Sequence, residues 1–570
     1  MGKKVKVVYD VDGKMKKNKK KKSKSKVSRG DGRLTKANLI AVIILVVLEL
    51  IFYYLAVPAI NIHTVGFWVW LIVTLFGLGI CSLDFYAPTV EISGEKSSGT
   101  TPVTKYIGIG IVVCLAVFII GGLISTPIFN ASKYASIINI EEGDFATDIV
   151  ESEDISDIAL MDTDSAVIIG ERAIGSLSDV VSQYEVSKTY STIDYNGRPM
   201  KVAPLEYAGF FKYMNNKDAG IPGYVLVDPV KNEAKYVELA TPIKYSRSAF
   251  FGKDLNRHIQ TSYPTYDFEG YYFELDNEGR PFYICPVLNP NAGLFGAKDV
   301  KGIVICDPCS GDCEYMDVAD VPNWVDRVYD GDLACKKYNW YGNLSGGFVN
   351  SIIGNKGCKV TTDDYGYKVM GGDVWVYTGV TSVNGDQSNI GFVLMNSRTA
   401  ESKYYSIAGA EEHSAMSSAE GQVQNLGYEA SFPSLINIEG IPTYIMVLKD
   451  NAGLVKMYAL VNVEKYNIVA TGTTQREALA SYKNLMVENG ILDDSVTVDE
   501  TTANKFITVA DIKYINVDGE TLVYISSDKG EVFKQNFADN ESLIFIQAGD
   551  RIKVYYTETE NGINDLLSYE

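Results

Sequence analysis

At 570 residues the chain is longer than one hydrophobic core can serve, so several domains are expected. Apolar residues at 46% and charged residues at 22% are ordinary for folded protein and exclude a chain that is disordered throughout. The net charge of −19 is unevenly placed, with +12 in residues 1–36 and −29 after residue 125; so acidic a bulk repels nucleic acid and anionic membrane surfaces.

Residues 1–36 form a polybasic tail, densest from Lys14 to Lys26. No aromatic residues interleave that run, so attraction to anionic lipid headgroups at a membrane is favoured over nucleic-acid binding. Three apolar runs follow within residues 37–125: Ala37–Val57, Thr64–Leu83 and Tyr106–Ser125. Each has about the 20 residues that a helix needs to cross a hydrocarbon core, so the chain is expected to span the lipid bilayer three times. The basic tail should keep the N-terminus in the cytoplasm, which places everything after Thr126 outside the cell membrane. No small-x-small cleavage site follows the first run, so an uncleaved anchor is expected. Glu49 lies inside the first run; such a group either pairs within a helix bundle or serves a function.

Residues 126–164 read as an acidic linker with few apolar anchors. Beyond it a pattern repeats. Gly223-Tyr-Val-Leu-Val-Asp228 closes on Tyr236, Gly302-Ile-Val-Ile-Cys-Asp307 on Tyr315, and Gly391-Phe-Val-Leu-Met-Asn396 on Tyr404, always with 13 positions from Gly to Tyr. A shorter copy runs Tyr458-Ala-Leu-Val-Asn462 and returns at Asn467–Ala470. Each copy is preceded by a Gly-led strand and a helical stretch, giving four units at 165–262, 263–343, 344–412 and 413–496. Val225, Val304, Val393 and Ala459 should therefore occupy equivalent strand positions. Capping boxes predict helix starts at Ser417-Ser-Ala-Glu420, ending at Gly427, and at Thr474-Gln-Arg-Glu477. Helices packed on antiparallel strands make the fold class α+β.

This helix-then-hairpin pattern, with its apolar-Val-Asp ending, resembles the PepSY and cystatin-like domains of bacterial envelope proteins. Gly223–Tyr236 and Gly302–Tyr315 carry the likeness best, and Asn396 departs from its Asp. The overall layout is similar to uncharacterised large membrane proteins of anaerobic Gram-positive bacteria. The resemblance implies extracytoplasmic binding or restraint of other proteins, and it supplies no catalytic residue.

Residues 497–570 read as a separate all-β piece, with strands at 506–514, 521–526, 531–536, 543–547 and 551–556 and turns at Asp518-Gly519, Lys529-Gly530 and Gly549-Asp550. Five short strands suit a small barrel, OB-like or SH3-like, and its acidity favours protein or glycan contact.

His63, His258 and His413 are too scattered in sequence to suggest a zinc site or a Ser-His-Asp triad. No phosphate-binding glycine loop occurs, and Ser93-Gly-Glu-Lys96 matches a catalytic motif in spelling only. No cofactor or metal is expected. Cysteine is the sharper signal. Cys81 and Cys114 fall in apolar runs, while Cys285, Cys306, Cys309, Cys313, Cys335 and Cys358 all lie beyond them. Structural disulfides in an oxidising compartment are favoured, paired Cys285–Cys306, Cys309–Cys313 and Cys335–Cys358. Thiol-disulfide exchange at Cys306/Cys309, a metal site including Cys313, and free thiols are the alternatives. Tyr338, Trp340 and Tyr341 are a candidate contact patch, against a packing role. Together these features predict a membrane-anchored extracytoplasmic binding or scaffold protein that engages a protein or peptide partner at the cell envelope. The alternative is an envelope enzyme, a thiol-disulfide exchanger or an unrecognised hydrolase.

Overall fold

The computed structural model describes residues 36–82, 102–150, 155, 158–383, 388–492, 502–517, 520–557 and 563–569. The basic tail, the loop with Ser93–Lys96, the acidic residues Glu151, Glu153, Asp154 and Asp157, and the Asp518-Gly519 turn lie outside the described residues. The chain divides into two compact units, Met1–Gly121 and Gly122–Glu570.

In the first unit, Lys36–Ala56 and Val65–Cys81 are apolar helices, and a third, Pro102–Ile124, begins there. Two helices are long and apolar enough to cross a membrane, over Asn38–Ala56 and Val103–Ile124. The middle helix has 17 residues and rises about 26 Å, short of a hydrocarbon core of roughly 30 Å. Glu49 does not stand unpaired among these helices. Its carboxylate accepts the Trp70 indole N–H at 2.7 Å.

The second compact unit repeats one topology four times, and from here on its four repeats are called the first to fourth units. A helix leads into two short strands, which pair with opposite ends of one long strand; two further antiparallel strands then complete the sheet. The long strands are Arg198–Tyr207, Pro281–Ala292, Asp373–Ser382 and Ile441–Lys449, each flanked by the next strand in sequence. The leading helices are Thr163–Gly175, Leu255–Ser262, Gly331–Leu344 and Glu412–Gln422. The four sheets are separate. Val225, Val304, Val393 and Ala459 are fully buried in the strand after the long one. Val225 pairs with Tyr236, Val304 with Tyr315 and Val393 with Tyr404, so the sequence repeat is a register repeat.

The pattern has a physical cause at both ends. A Cβ on Gly223, Gly302 or Gly391 would stand 2.7, 2.6 or 2.5 Å from the ring or hydroxyl of the closing Tyr; the missing side chain makes room for the aromatic ring. At the other end, Asp228, Asp307 and Asn396 each accept backbone N–H groups two and three residues on, at distances of 2.7 to 3.2 Å. Both Asp and Asn have the oxygen this turn needs, so the exchange of Asp for Asn in the third copy leaves it intact.

Neighbouring sheets share cores. Val202, Leu205 and Val225 of the first unit pack with Phe273, Tyr283 and Val304 of the second. Tyr377, Phe392 and Leu394 of the third pack with Tyr444, Met446 and Val461 of the fourth. The stretch expected to be an acidic linker is in fact anchored: Phe145 and Ile149 enter the third-to-fourth core, and Ile155 and Leu160 pack with helix Gln475–Glu488. Four apolar residues separated by carboxylates carry no periodicity, which hides them from pattern reading.

Two further expectations change. The fourth unit's helix starts at Glu412, so Ser417 is interior, whereas the Thr474 cap forms as expected, its hydroxyl accepting Glu477 N–H at 3.1 Å. Residues 543–547 do not form a strand. Glu541–Phe545 is a 3-10 turn that buries Leu543 and leaves Phe545 exposed, and the missing strand is Ile563–Tyr569. Strands 502–517, 520–527, 532–536, 563–569 and 551–557 pair in that order into a closed ring around Ile525, Phe533 and Val554.

Candidate thiol site

The second unit's last hairpin places Cys306 directly opposite Cys313. Asp307 N–H donates to Asp312 C=O at 2.8 Å, so the cysteine pair falls between ladder hydrogen bonds, where facing side chains come closest. The two Sγ atoms are 2.8 Å apart. Asp307 fixes the turn between them, and Pro308 C=O accepts from Lys244 and Tyr245 N–H, docking the turn on the preceding loop. Gly311 adopts φ +91 against the Tyr245 ring, where a Cβ would come within 2.4 Å.

Helix Leu255–Ser262 supplies the third member. Asp254 caps it by accepting Arg257 N–H, while Leu255 and Ile259 are buried in the core shared with the first unit. His258, between them in sequence, reaches the hairpin turn. Its Nε2 lies 2.6 Å from Gly311 C=O, which can only accept, so Nε2 carries hydrogen. The ring packs on Tyr245 at 4.0 Å between centroids. Nitrogen and sulfur donor atoms of His258, Cys306 and Cys313 all lie within 4.8 Å of one another.

The three groups shift one another. Cys313 is held down to about 6, first by its hydrogen bond with Cys306 and then by His258, against the effect of burial. His258 is held above its ordinary value, chiefly by the hydrogen bond to Cys313. Cys306 is pushed up by sharing its proton with Cys313 and by burial. Burial and then Asp307 push Cys309 up to about 12, and burial pushes Cys285 well up. The result is one partly exposed sulfur that favours the thiolate beside one buried sulfur that holds its proton.

Sequence spacing brought the right hairpin forward but paired its cysteines wrongly. All eight cysteines are free thiols. Cys285 faces Val304, and Cys306 faces Tyr283, so the first expected pair is diagonal. Cys309 sits within the turn, and the sulfur beside Cys313 is that of Cys306. Cys358 sits against Asn343 C=O at 3.5 Å, and Asn343 is about 12 Å along the helix from Cys335. His258 was invisible because it lies 53 residues from Gly311 in sequence, and only packing of helix on hairpin joins them. Of the aromatic patch, Tyr338 is buried in the third unit's core, which corrects its reading as a contact residue. Trp340 packs edge-on against Tyr134 at 5.0 Å, and Tyr341 is half-buried. Cys335 and Trp340 border an open depression of about 350 Å³ with Asp332 and Lys336.

Fold and site together define an α+β repeat protein with two membrane-length apolar helices and a cysteine–histidine centre in its second repeat. No protein-family model matches the chain, and no curated protein matches it.

Proposed function

We propose that the chain is a membrane-anchored extracytoplasmic binding or scaffold protein whose PepSY-like repeat array engages a protein or peptide partner at the cell envelope. The observation that carries this reading is an aromatic patch on the first unit. Phe211, Phe250 and Phe251 gather there around Phe210, with ring centroids 5.0 to 6.2 Å from its own, and Phe211 is 80% exposed. Four phenylalanines gathered at a surface are costly in water and are the usual mark of a contact site. Phe251 also holds φ 57, a strained conformation for a bulky residue, of the kind kept where function requires it.

The apolar helices, with Val65–Cys81 as a short middle span, supply the anchor; the basic tail sets the N-terminus in the cytoplasm against anionic lipid and the repeats outside. Exposed apolar residues within the repeat-bearing unit agree with membrane proximity. Ile128 and Phe129 follow helix Pro102–Ile124 directly, and Val349, Ile352 and Ile353 follow the helix that Tyr134 packs on.

Photo-crosslinking from position 211 in intact cells tests the reading. A discrete adduct that Phe251→Ser abolishes supports it. An adduct pattern unchanged by Phe251→Ser, or protection of residues 127–570 from external protease in intact cells with digestion after lysis, overturns it.

A further inference from the structure

We propose that Cys313 and Cys306 form a thiol-disulfide exchange centre, with Cys313 attacking an accessible disulfide, Cys306 resolving the adduct and His258 positioning the attacking sulfur. Three geometric facts carry this. The sulfurs face each other across one strand pair at 2.8 Å, so closing a bond needs a side-chain adjustment and no change of register. Access is asymmetric: Cys313 is half-buried, whereas Cys306 is fully buried. The imidazole meets the turn at Gly311, two residues before Cys313, and stands within 4.8 Å of both sulfurs. Two thiolates on one tetrahedral zinc stand about 3.8 Å apart, given metal–sulfur bonds of about 2.3 Å, and these sulfurs are closer than that. The low proton affinity of Cys313 and the high one of Cys306 fit attacker and resolver respectively.

The step balances as follows. Cys313 thiolate attacks one sulfur of a disulfide R–S–S–R, forming a mixed disulfide and releasing RS⁻. Cys306 gives up its proton, which the released RS⁻ takes, and its sulfur attacks Cys313 Sγ, expelling the second RS⁻. The chain loses two electrons as the Cys306–Cys313 bond forms, and the foreign disulfide becomes one thiol and one thiolate, which takes its proton from solvent. A protein disulfide and a small-molecule disulfide present the same chemistry.

The test uses the full chain in detergent, reduced and desalted, with oxidised glutathione in one arm and a disulfide-bonded peptide in the other, read by peptide mass mapping. A Cys306–Cys313 bond should form in wild type and be reversed by dithiothreitol. Cys306→Ser should trap the adduct on Cys313, and Cys313→Ser should trap none on Cys306. Reaction in one arm only identifies the source. His258→Ala should slow trapping up to about tenfold at pH 6 and speed it near pH 9, because a thiol with a higher pKa is less ionised but more nucleophilic. A uniform loss at both pH values would reduce His258 to a structural role. First capture at Cys309, stoichiometric zinc in the purified chain, or a Cys306–Cys313 bond that resists dithiothreitol without denaturant would each overturn the proposal.

Discussion

The hairpins that close the second and third units differ by very little in backbone and by a great deal in chemistry. Both place a buried valine opposite a tyrosine, both begin at a glycine covered by that tyrosine, and both turn on an Asp or Asn oxygen. At the register position before the turn the second has Cys306 facing Cys313, whereas the third has Met395 facing Ser402 and the first has Val227 facing Ala234. The third unit spends its turn on structure: Arg398 pairs with Asp373, and Asn396 also donates to Asp373. The second leaves its turn free of ion pairs among the described residues and sets a histidine beside it. The repeated scaffold thus holds three chemically different pairs at this position, and two sulfurs meet in the second unit where the others pack.

The comparison breaks most readily at the glycines. Gly302→Ala and Gly391→Ala should each cost about 3 kcal/mol or more, because the new Cβ meets backbone oxygens at 2.3 and 2.5 Å as well as the tyrosine ring. Thermal melting of the full chain in detergent reads this, and an unchanged melting temperature in either variant would show that the shared motif is not what fixes the hairpin.

Next in size is a pH effect confined to the surroundings of the second unit. Glu274 is pushed up to about 7, chiefly by burial, and accepts Asp326 and Arg327 N–H at 2.8 and 2.9 Å; Glu269 is pushed up to about 8 by burial and then by Asp330. Both bind a proton more tightly folded than unfolded. Their contribution is complete below the ordinary value of 4.5 and is lost as pH rises through 7 to 8, a loss on the order of 1–3 kcal/mol. Melting between pH 5.5 and 8.5 should show this fall, and Glu274→Gln should reduce it, leaving the share of Glu269; a rise in stability over that range would refute the assignment.

Smaller still are the turns. Asp307→Ala and Asn396→Ala should each lose about 1 kcal/mol of stability, by analogy with lost caps, while Asp307→Asn should be close to neutral because Asn396 makes the same pair of bonds. A large loss in Asp307→Asn would mean that the charge, not the turn, is what matters there.

The smallest stability effect belongs to the most consequential substitution. Replacing Cys306 by Val and Cys313 by Ala installs the first unit's own pair and should shift stability by less than about 1 kcal/mol. The same double variant should lose all disulfide formation at this hairpin. If it unfolds, the sulfurs are structural and the equivalence of the hairpins fails.

Local rules made much of this molecule legible. The Gly-to-Tyr interval and the turn residue describe one continuous hairpin, so they survive in sequence as a fixed count, and the register of three units follows from it. The apolar runs and the Thr474 cap are local in the same sense. What tertiary structure decided were relations between distant segments. Glu412 begins a helix that its sequence start signals place at Ser417, because packing on the fourth sheet extends it. Phe145 and Ile155 became core only through partners some 300 residues on. Cys306 took Cys313 in place of Cys285 because antiparallel register, unlike loop length, sets Cys313 opposite it on one side and Tyr283 on the other. His258 joined them because burying Leu255 and Ile259 orients its helix, and no spacing rule carries that information.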